Sequence, residues 1–343
     1  MKRNTNVFNH LRANLALLVL TLLLCSVLYP LALLGFGQLV FPAKVSGSLV
    51  PDGEGHTVGS LLVAQEFKGD EWFQPRPSAA SYNAAASGGS NWAANNPRLR
   101  DRVARQLGPI VKYASGPKVG QLVGPDIERW FAERPDRTAK WAKDYPTLAA
   151  AWVTSDDLAR EFVIRWVEAH PDVLAVWRHG NPNKVYDPAK PEELAVLFFA
   201  SYASAHSGSL PSIVEVKTPS VKAEKQVQPV RDGADIRSTF FESWLQQHPR
   251  AELEKVPADM VMASGSGLDP HITLRNARYQ LDRVVAARSE KSGAAPSRVR
   301  TAVETVLARH AFTPLAGLVG EPLVNVLEVN LALQAGMTDL AWR

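Results

Sequence analysis

The chain has 343 residues, enough for one large or two modest domains. It carries 38 basic and 34 acidic residues, but Lys2, Arg3, Arg12 and Lys44 all precede the first acid, Asp52, so the remainder is neutral. A neutral remainder argues against nucleic acid as a partner. A hydrophobic content of 46% excludes disorder, and a single cysteine excludes a disulfide scaffold.

The first predicted element is a membrane anchor over residues 15–41, a run of 27 residues without a charge. About 20 apolar residues are enough for a helix to cross a bilayer. The alternative is a cleaved signal peptide, but the run is too long and no Ala-x-Ala site follows it. Leu24 before Cys25 also argues against a lipoprotein site. Three bases before the anchor and one after it place residues 1–14 in the cytoplasm and the following domain outside.

Residues 42–107 follow the anchor and begin with a predicted β-hairpin over 47–64, two apolar runs around an Asp-Gly turn. Residues 74–96 are rich in Pro, Ser, Gly and Asn, which is typical of loops. Asn96 and Pro97 then predict a helix, with Asn96 as the N-cap residue.

Residues 108–255 differ in composition from the segments on either side and contain six of the nine tryptophans. Five of these are followed five residues later by proline, and segments 130–146 and 166–182 resemble a duplication. Each unit predicts a short helix that buries its tryptophan and stops before proline, which then fits the first turn of the next helix. The tryptophans form either a core or a surface for a glycan or protein partner. Residues 207–235 are predicted to be a flexible linker.

The last part, 256–343, begins with a predicted buried strand at 259–263, followed by the glycine-rich segment Ser264–His271. In that segment, Asp269 or Thr273 is expected to cap the next helix. The pattern predicts helices at 273–289, 296–310 and 322–333, with a strand at 324–327 as the alternative to the start of the third.

Ser266, Asp269 and His271 stand close in sequence, but triad residues normally come from separate elements, and the nucleophile-elbow pattern is missing. The alternatives are an anion-binding nest, for which no phosphate-loop pattern is present, and a structural turn. The eight histidines have no metal-ligand spacing. The acids at 66, 70 and 71 are either a local cation-attracting group or a solvated surface.

Several motifs in order resemble one family. They are Gly59-Ser-Leu-Leu-Val-Ala-Gln-Glu-Phe, Trp72-Phe-x-x-Arg-Pro-Ser, Tyr82-Asn-Ala-Ala-Ala-Ser-Gly-Gly-Ser-Asn, Ser264-Gly-Ser-Gly-Leu-Asp-Pro-His, Gln280-x-x-Arg and Gly320-Glu-Pro-x-Val-Asn. Together they resemble the C chain of the Kdp potassium-transporting ATPase (KdpC). The resemblance covers 1–107 and 256–343 and leaves 108–255 as an insertion. The expected fold is α+β: a single transmembrane helix, then an extracytoplasmic mixed α/β domain carrying a mostly helical insertion.

The resemblance implies a non-catalytic accessory subunit of an ATP-driven potassium importer in the bacterial inner membrane. Its implied partners are a channel-like potassium-binding subunit, a P-type ATPase subunit, a small single-helix subunit and the lipid bilayer. ATP and K⁺ are handled by the complex, and the C chain is regarded as a chaperone for ATP binding by the pump. The motif residues implied in subunit contact or a nucleotide-related role are Arg76, Tyr82, Asn83, Ser87, Gly88, Gly89, Ser90, Asn91, Ser264, Gly265, Ser266, Gly267, Asp269, His271, Gln280 and Arg283.

The charge asymmetry conflicts with a nucleotide site on this chain, because ATP is cytoplasmic whereas residues 264–271 are predicted to be exported. We therefore expect an exported cap on the channel-like subunit, with no cofactor or metal of its own. The alternatives are an anchored extracytoplasmic hydrolase using Ser266 and His271, and an anchored glycan-binding protein using the tryptophan repeats.

Overall fold

The computed structural model describes residues 4–51, 54–218 and 221–338. The Asp-Gly turn at 52–53 and the bases at 2 and 3, on which two predictions rest, lie outside the described residues. The chain forms two compact units. We call residues 1–91 with 262–343 the terminal unit, and residues 92–261 the middle unit.

The anchor is helical from Asn4 to Val40, one residue short of the predicted end at 41. Helix α1 (Asn4–Leu23) continues through one π-helical turn (Leu24–Leu28) into α2 (Tyr29–Val40). The wider turn precedes Pro30, whose ring has no N–H to donate to the carbonyl four residues earlier. Within the described chain, Phe8–Val40 is the one helix long and apolar enough to cross a membrane.

After the anchor, the terminal unit continues with α3 (Pro42–Val45) and the antiparallel strands β1 (Leu49–Pro51) and β2 (Thr57–Ser60). Val50 lies opposite Gly59, so the predicted hairpin is confirmed. Residues 61–91 contain no further helix or strand and run as an extended loop.

The middle unit is mainly helical. Its helices are α4 (Pro97–Leu107), α5 (Gly124–Ala132), α6 (Arg137–Asp144), α7 (Pro146–Val153), α8 (Asp157–Ala169), α9 (Pro171–Gly180), α10 (Ala195–Ala205) and α11 (Ala234–Gln247). Asn96 caps α4 as predicted, because its side chain accepts the N–H of Arg98 at 2.9 Å.

The tryptophan–proline pattern predicts some of the helix starts correctly and others wrongly. Pro146 and Pro171 open helices as predicted, whereas Pro135, Pro182 and Pro249 lie in turns. Proline is compatible with the first turn of a helix but does not by itself start one. Whether a helix begins there depends on the residues that follow the proline.

The repeat tryptophans belong to the core of the middle unit. Trp130, Trp141, Trp177 and Trp244 are all buried, at 7% exposure or less. Trp141 packs edge-on against Phe199 of the central helix α10, with ring centroids 5.3 Å apart. The core interpretation of the tryptophans is therefore confirmed for these four side chains.

Histidines at the ends of three helices share one arrangement. The Nδ1 atoms of His170, His206 and His248 each lie 2.8–3.0 Å from the carbonyl oxygen four residues earlier. Each ring also packs near an aromatic side chain at that earlier position, at 4.0–4.6 Å between centroids. These histidines cap helix C-termini, which confirms the structural role predicted for the repeat pair, His170 and His248.

The linker predicted at 207–235 is wrong. Strands β3 (Leu210–Thr218) and β4 (Val221–Val230) form an antiparallel hairpin there, with Ile213 opposite Val227. The many Lys, Gln, Pro and Ser residues are typical of a linker, and the valine and isoleucine residues of the two strands keep no strict two-residue alternation that would have predicted them.

The chain returns to the terminal unit with β5 (His271–Thr273), α12 (Leu274–Ser292), α13 (Pro296–His310), β6 (Leu323–Asn325) and α14 (Val326–Thr338). Thr273 caps α12 by accepting the N–H of Asn276 at 3.0 Å, and the two predicted helices are confirmed. Strand β5 pairs antiparallel with β6.

Two predictions for this part need correction. Residues 259–263 are not a strand: Ala258–Met260 form a 3₁₀ turn, since a short apolar run fits a buried turn equally well. The last helix begins at Val326 rather than Pro322, because Leu323–Asn325 pair with β5 and the Asn325 side chain accepts the N–H of Leu327 at 3.1 Å.

Candidate functional site

The two most specific motif loops meet in the terminal unit. The backbone N–H of Gly88 donates to the carbonyl oxygen of Ser266 at 2.8 Å. The Ser87 hydroxyl donates to the same oxygen at 3.1 Å. On the other side of the second loop, the N–H of Ala64 donates to the carbonyl of Leu268 at 2.8 Å. Segments far apart in sequence thus form one structure through main-chain atoms.

Glycines allow this close approach. Gly267 has a φ of +69°, and a Cβ atom there would lie 2.7 Å from the carbonyl oxygen of Gly88. A Cβ atom on Gly89 would lie 2.7 Å from the carbonyl oxygen of Gly265. Both obstacles are backbone atoms, so the glycine pattern serves packing between the loops.

Ser78 and Tyr82 hold the start of the first motif loop, residues 82–91, in place. The Ser78 hydroxyl donates to the Gly267 carbonyl at 2.6 Å and accepts the N–H of Tyr82 at 3.0 Å. The Tyr82 hydroxyl donates to the carbonyl of Arg76 at 2.9 Å. Burial raises the pKa of Tyr82 to about 12, so the phenol remains a donor at neutral pH.

Asp269 organises the second loop. Its Oδ1 accepts the backbone N–H of His271 at 3.0 Å and lies 3.2 Å from His271 Nδ1, while its Oδ2 lies 3.5 Å from Arg76 Nη1. The Ser264 hydroxyl accepts the N–H of Asp269 at 3.4 Å. Burial acts to raise the pKa of Asp269, but the His271 hydrogen bonds and the Arg76 charge outweigh it, and the pKa lies below 3.8.

Gln280 and Arg283 on α12 form a second group around segment 70–74, which begins with a turn and belongs to no strand. Gln280 accepts the backbone N–H of Gln74 at 2.8 Å and donates to its carbonyl at 3.0 Å. Arg283 donates to the carbonyls of Asp70 and Trp72 at 2.8 and 3.0 Å. These side chains replace the neighbouring strand that this segment lacks.

Sequence reasoning missed two further members of this group. The buried Asn330 accepts the N–H of Phe73 at 2.9 Å and donates to its carbonyl at 2.9 Å. Arg288 donates to the carbonyl of Glu71 at 2.8 Å, and burial lowers its pKa to about 10. The helical spacing of α12 places Arg288 on its buried face. A charged residue at such a position needs a partner, and this was the signal that could have predicted the role of Arg288.

Three predicted residues stand apart from these contacts. Asn83 closes a turn of its own, accepting the N–H of Ala85 at 3.0 Å. Ser90 and Asn91 follow Gly89 at the end of the terminal unit's first segment, with Asn91 at a φ of +51°. Their predicted role stays a prediction.

The arrangement supplies no nucleophile with an adjacent base. Among the described residues, no hydrogen bond joins Ser266 to His271, and the Ser266 hydroxyl accepts the N–H of Leu268 at 3.1 Å. Glu71 lies 3.1 Å from Lys291, and Asp70 lies 3.5 Å from Arg283, so two of the three acids predicted as a possible cation-attracting group are paired with bases. Over the described ranges, no cluster of His, Cys, Asp or Glu is suited to a metal ion.

Comparison with known proteins identifies the family. The family model for the K⁺-transporting ATPase c chain, KdpC, matches residues 11–124 and 214–335, which is more than half of the chain. The chain belongs to the KdpC family. The matched ranges include both motif loops, the 70–74 segment and the helices that hold it.

Individual relatives are similar over shorter ranges. The KdpC subunit of the potassium-transporting ATPase of Pseudomonas syringae pv. tomato is 48% identical over 107 residues, or 31% of this chain and 56% of the relative. That of Pseudomonas aeruginosa strain PAO1 is 48% identical over 135 residues, or 39% of this chain and 74% of the relative. The first relatives are thus matched over little more than half their length, and this chain is longer than they are.

Proposed function

We propose that this chain is the accessory, non-catalytic C subunit of an ATP-driven potassium import complex. The observation that carries the proposal is the family match on both sides of residues 125–213, together with one apolar helix long enough to cross a membrane. Its partners are a channel-like potassium-binding subunit, a P-type ATPase subunit and a small single-helix subunit. The loops that meet at Gly88 and Ser266 offer a rigid surface for subunit contact.

Co-purification tests this assembly. An affinity tag after Arg343 is introduced into the source organism, which is grown on limiting potassium and solubilised in mild detergent. Recovery of the channel-like and pump subunits with the tagged chain is expected. A tagged control that carries only residues 1–45 fused to an unrelated soluble domain is expected to recover less of both. Recovery of neither partner with the intact chain contradicts the proposal.

We also propose an orientation, with the N-terminus in the cytoplasm and the main domain outside the bacterial inner membrane. Arg12 precedes the uncharged run 15–41 and Lys44 follows it, and Lys2 and Arg3 add to the positive charge on the cytoplasmic side. In this orientation the subunit acts on ATP use through its partners rather than by holding nucleotide, and it caps the potassium entrance of the channel-like subunit.

Cysteine labelling tests the orientation because Cys25 is the chain's single cysteine. In a Cys25→Ser background, Ser297→Cys at an exposed position of α13 is expected to react with a membrane-impermeant maleimide in intact spheroplasts. Asn9→Cys is the matched control on the other side and is expected to react only after lysis. The reverse pattern contradicts the orientation.

We propose that the middle of the chain carries an added helical module, which the sequence predicts at 108–255; the family model leaves the narrower range 125–213 unmatched. The middle unit has its own aromatic core, which supports this view. Deletion of 108–255 with a short glycine–serine bridge is expected to leave co-purification of the partners intact. Loss of assembly, with the shortened chain still present in the membrane, contradicts a purely additional role.

A further inference from the structure

A cavity of about 230 Å³ lies in the middle unit, between the end of α5, helix α6 and helix α11. Aromatic rings form one wall: Trp130 and Trp141 lie 6.4 and 6.2 Å from Phe240, centroid to centroid. Ser243 and Gln246 of α11 add polar groups to the lining. The potassium-transport role proposed above does not involve this cavity.

The charges at the cavity are unevenly matched. Arg134 binds Asp136 through two contacts of 3.0 and 2.6 Å, and Lys140 binds Asp144 at 2.6 Å. The opposite charges within each of these two pairs cancel. The remaining lining base, Arg137, pairs through its Nη2 with Glu133 at 3.5 Å, and the Glu133 side chain is 58% exposed. Asp136, already paired with Arg134, adds a weaker attraction. One positive charge at the cavity is therefore weakly compensated.

Arg137 is also the most deeply placed of these bases. Its side chain is only 10% exposed, and its guanidinium carbon lies 3.7 Å from the centroid of the Trp130 ring. Its Nη1 atom is buried and has no hydrogen-bond partner among the described residues. A buried guanidinium donor without an acceptor is unfavourable, and an oxygen anion in the cavity would relieve it. Burial lowers the pKa of Arg137, and the opposing effect of Glu133 and Asp136 does not restore it.

The geometry points to a binding site for a small organic carboxylate, with its anionic group on Arg137 and its apolar body against Trp130, Trp141 and Phe240. One weakly compensated charge matches a monoanion. The aromatic wall favours a ligand with an apolar part over a fully hydrated inorganic anion. The inference concerns the middle unit alone and is independent of the proposed transport function.

Calorimetric titration of the full detergent-solubilised chain with sodium benzoate tests the site. Saturable binding to one site is expected, with much weaker binding of the uncharged isostere benzamide and of inorganic phosphate. Arg137→Gln is expected to weaken benzoate binding by about tenfold or more, the loss typical of a charge-assisted hydrogen-bonding pair. The control Arg129→Gln removes the same charge from α5 outside the cavity lining and is expected to change affinity less than about twofold.

A second measurement needs no cavity variant. In chain labelled with 5-fluorotryptophan, the ¹⁹F resonances of Trp130 and Trp141 are expected to shift on addition of benzoate, while that of Trp92 stays in place. The inference is overturned if benzoate moves neither resonance, if benzamide binds equally well, or if folded Arg137→Gln protein binds benzoate as the natural chain does.

Discussion

Gly88 and Ser266 are joined by a main-chain hydrogen bond of 2.8 Å, although they belong to the first and last parts of the terminal unit. Each loop therefore takes its shape from the other. Changes that separate them are expected to alter both loops together.

The first prediction concerns the glycine at this crossing. Gly267→Ala introduces a Cβ atom 2.7 Å from the Gly88 carbonyl at a φ of +69°, so we expect it to lower the free energy of unfolding by about 1–3 kcal/mol. Gly265→Ala is the matched control, since its Cβ atom meets nothing within 4 Å. Urea unfolding of the detergent-solubilised chain measures both. Equal effects of the two changes contradict the account of the crossing.

The second prediction concerns the side chains that hold segment 70–74. Asn330→Ala removes both hydrogen bonds to Phe73 and leaves two buried backbone groups unpaired, which is expected to cost about 2–4 kcal/mol. Gln334→Ala changes an exposed position on the same helix, α14, and is expected to cost less than about 0.5 kcal/mol. Hydrogen exchange of the Phe73 amide offers a local measurement, and unchanged protection in the Asn330 variant counts against the role of this side chain.

The third prediction is a pH dependence. The pKa of Asp269 lies below 3.8 in the folded chain, so the ionised carboxylate is the stabilised form. Its contribution is complete above about pH 5, one unit above the ordinary pKa of an unfolded Asp, and is lost as the pH falls through the folded value. The stability difference between the natural chain and Asp269→Asn is thus expected to be largest at neutral pH and to shrink in acid. Glu304→Gln, an exposed carboxylate on α13, controls for the loss of one charge. A difference that stays constant from pH 7 to about pH 3 contradicts the assignment.

The fourth prediction concerns the core of the middle unit. Trp141 is 3% exposed and packs on Phe199 and Phe240, so Trp141→Ala is expected to cost about 3–5 kcal/mol. Lys143→Ala on the exposed side of α6 is the control and is expected to have little effect. Near-ultraviolet circular dichroism follows the loss of aromatic packing. A Trp141 variant with unchanged unfolding would mean that the repeat tryptophans do not carry this core.

Local signals in the sequence predicted the elements that local chemistry decides. Asn96 with Pro97 and Thr273 before α12 mark helix starts because a side-chain oxygen and the first helical N–H groups lie within a few residues of each other. The motif loops were identified by their residues, but their pairing depends on contacts between distant parts of the chain.

The features that the sequence did not predict depend on contacts between distant parts of the chain. The hairpin β3–β4 was predicted as a linker because its many polar residues are typical of one, whereas the pairing of the two strands joins residues that are distant in sequence. Asn330 and Arg288 gained their role only when segment 70–74 was placed beside their helices. A side chain whose partner is the backbone of another segment leaves no spacing pattern in the sequence.

The most direct test of the central claim is potassium-limited growth. Deletion of this gene in the source organism, with the other subunit genes intact, is expected to abolish growth at limiting potassium, and a plasmid copy of the full chain is expected to restore it. A copy that encodes residues 1–45 alone is not expected to do so. Undiminished growth of the deletion strain at limiting potassium, under conditions in which loss of the pump subunit prevents growth, would contradict the account.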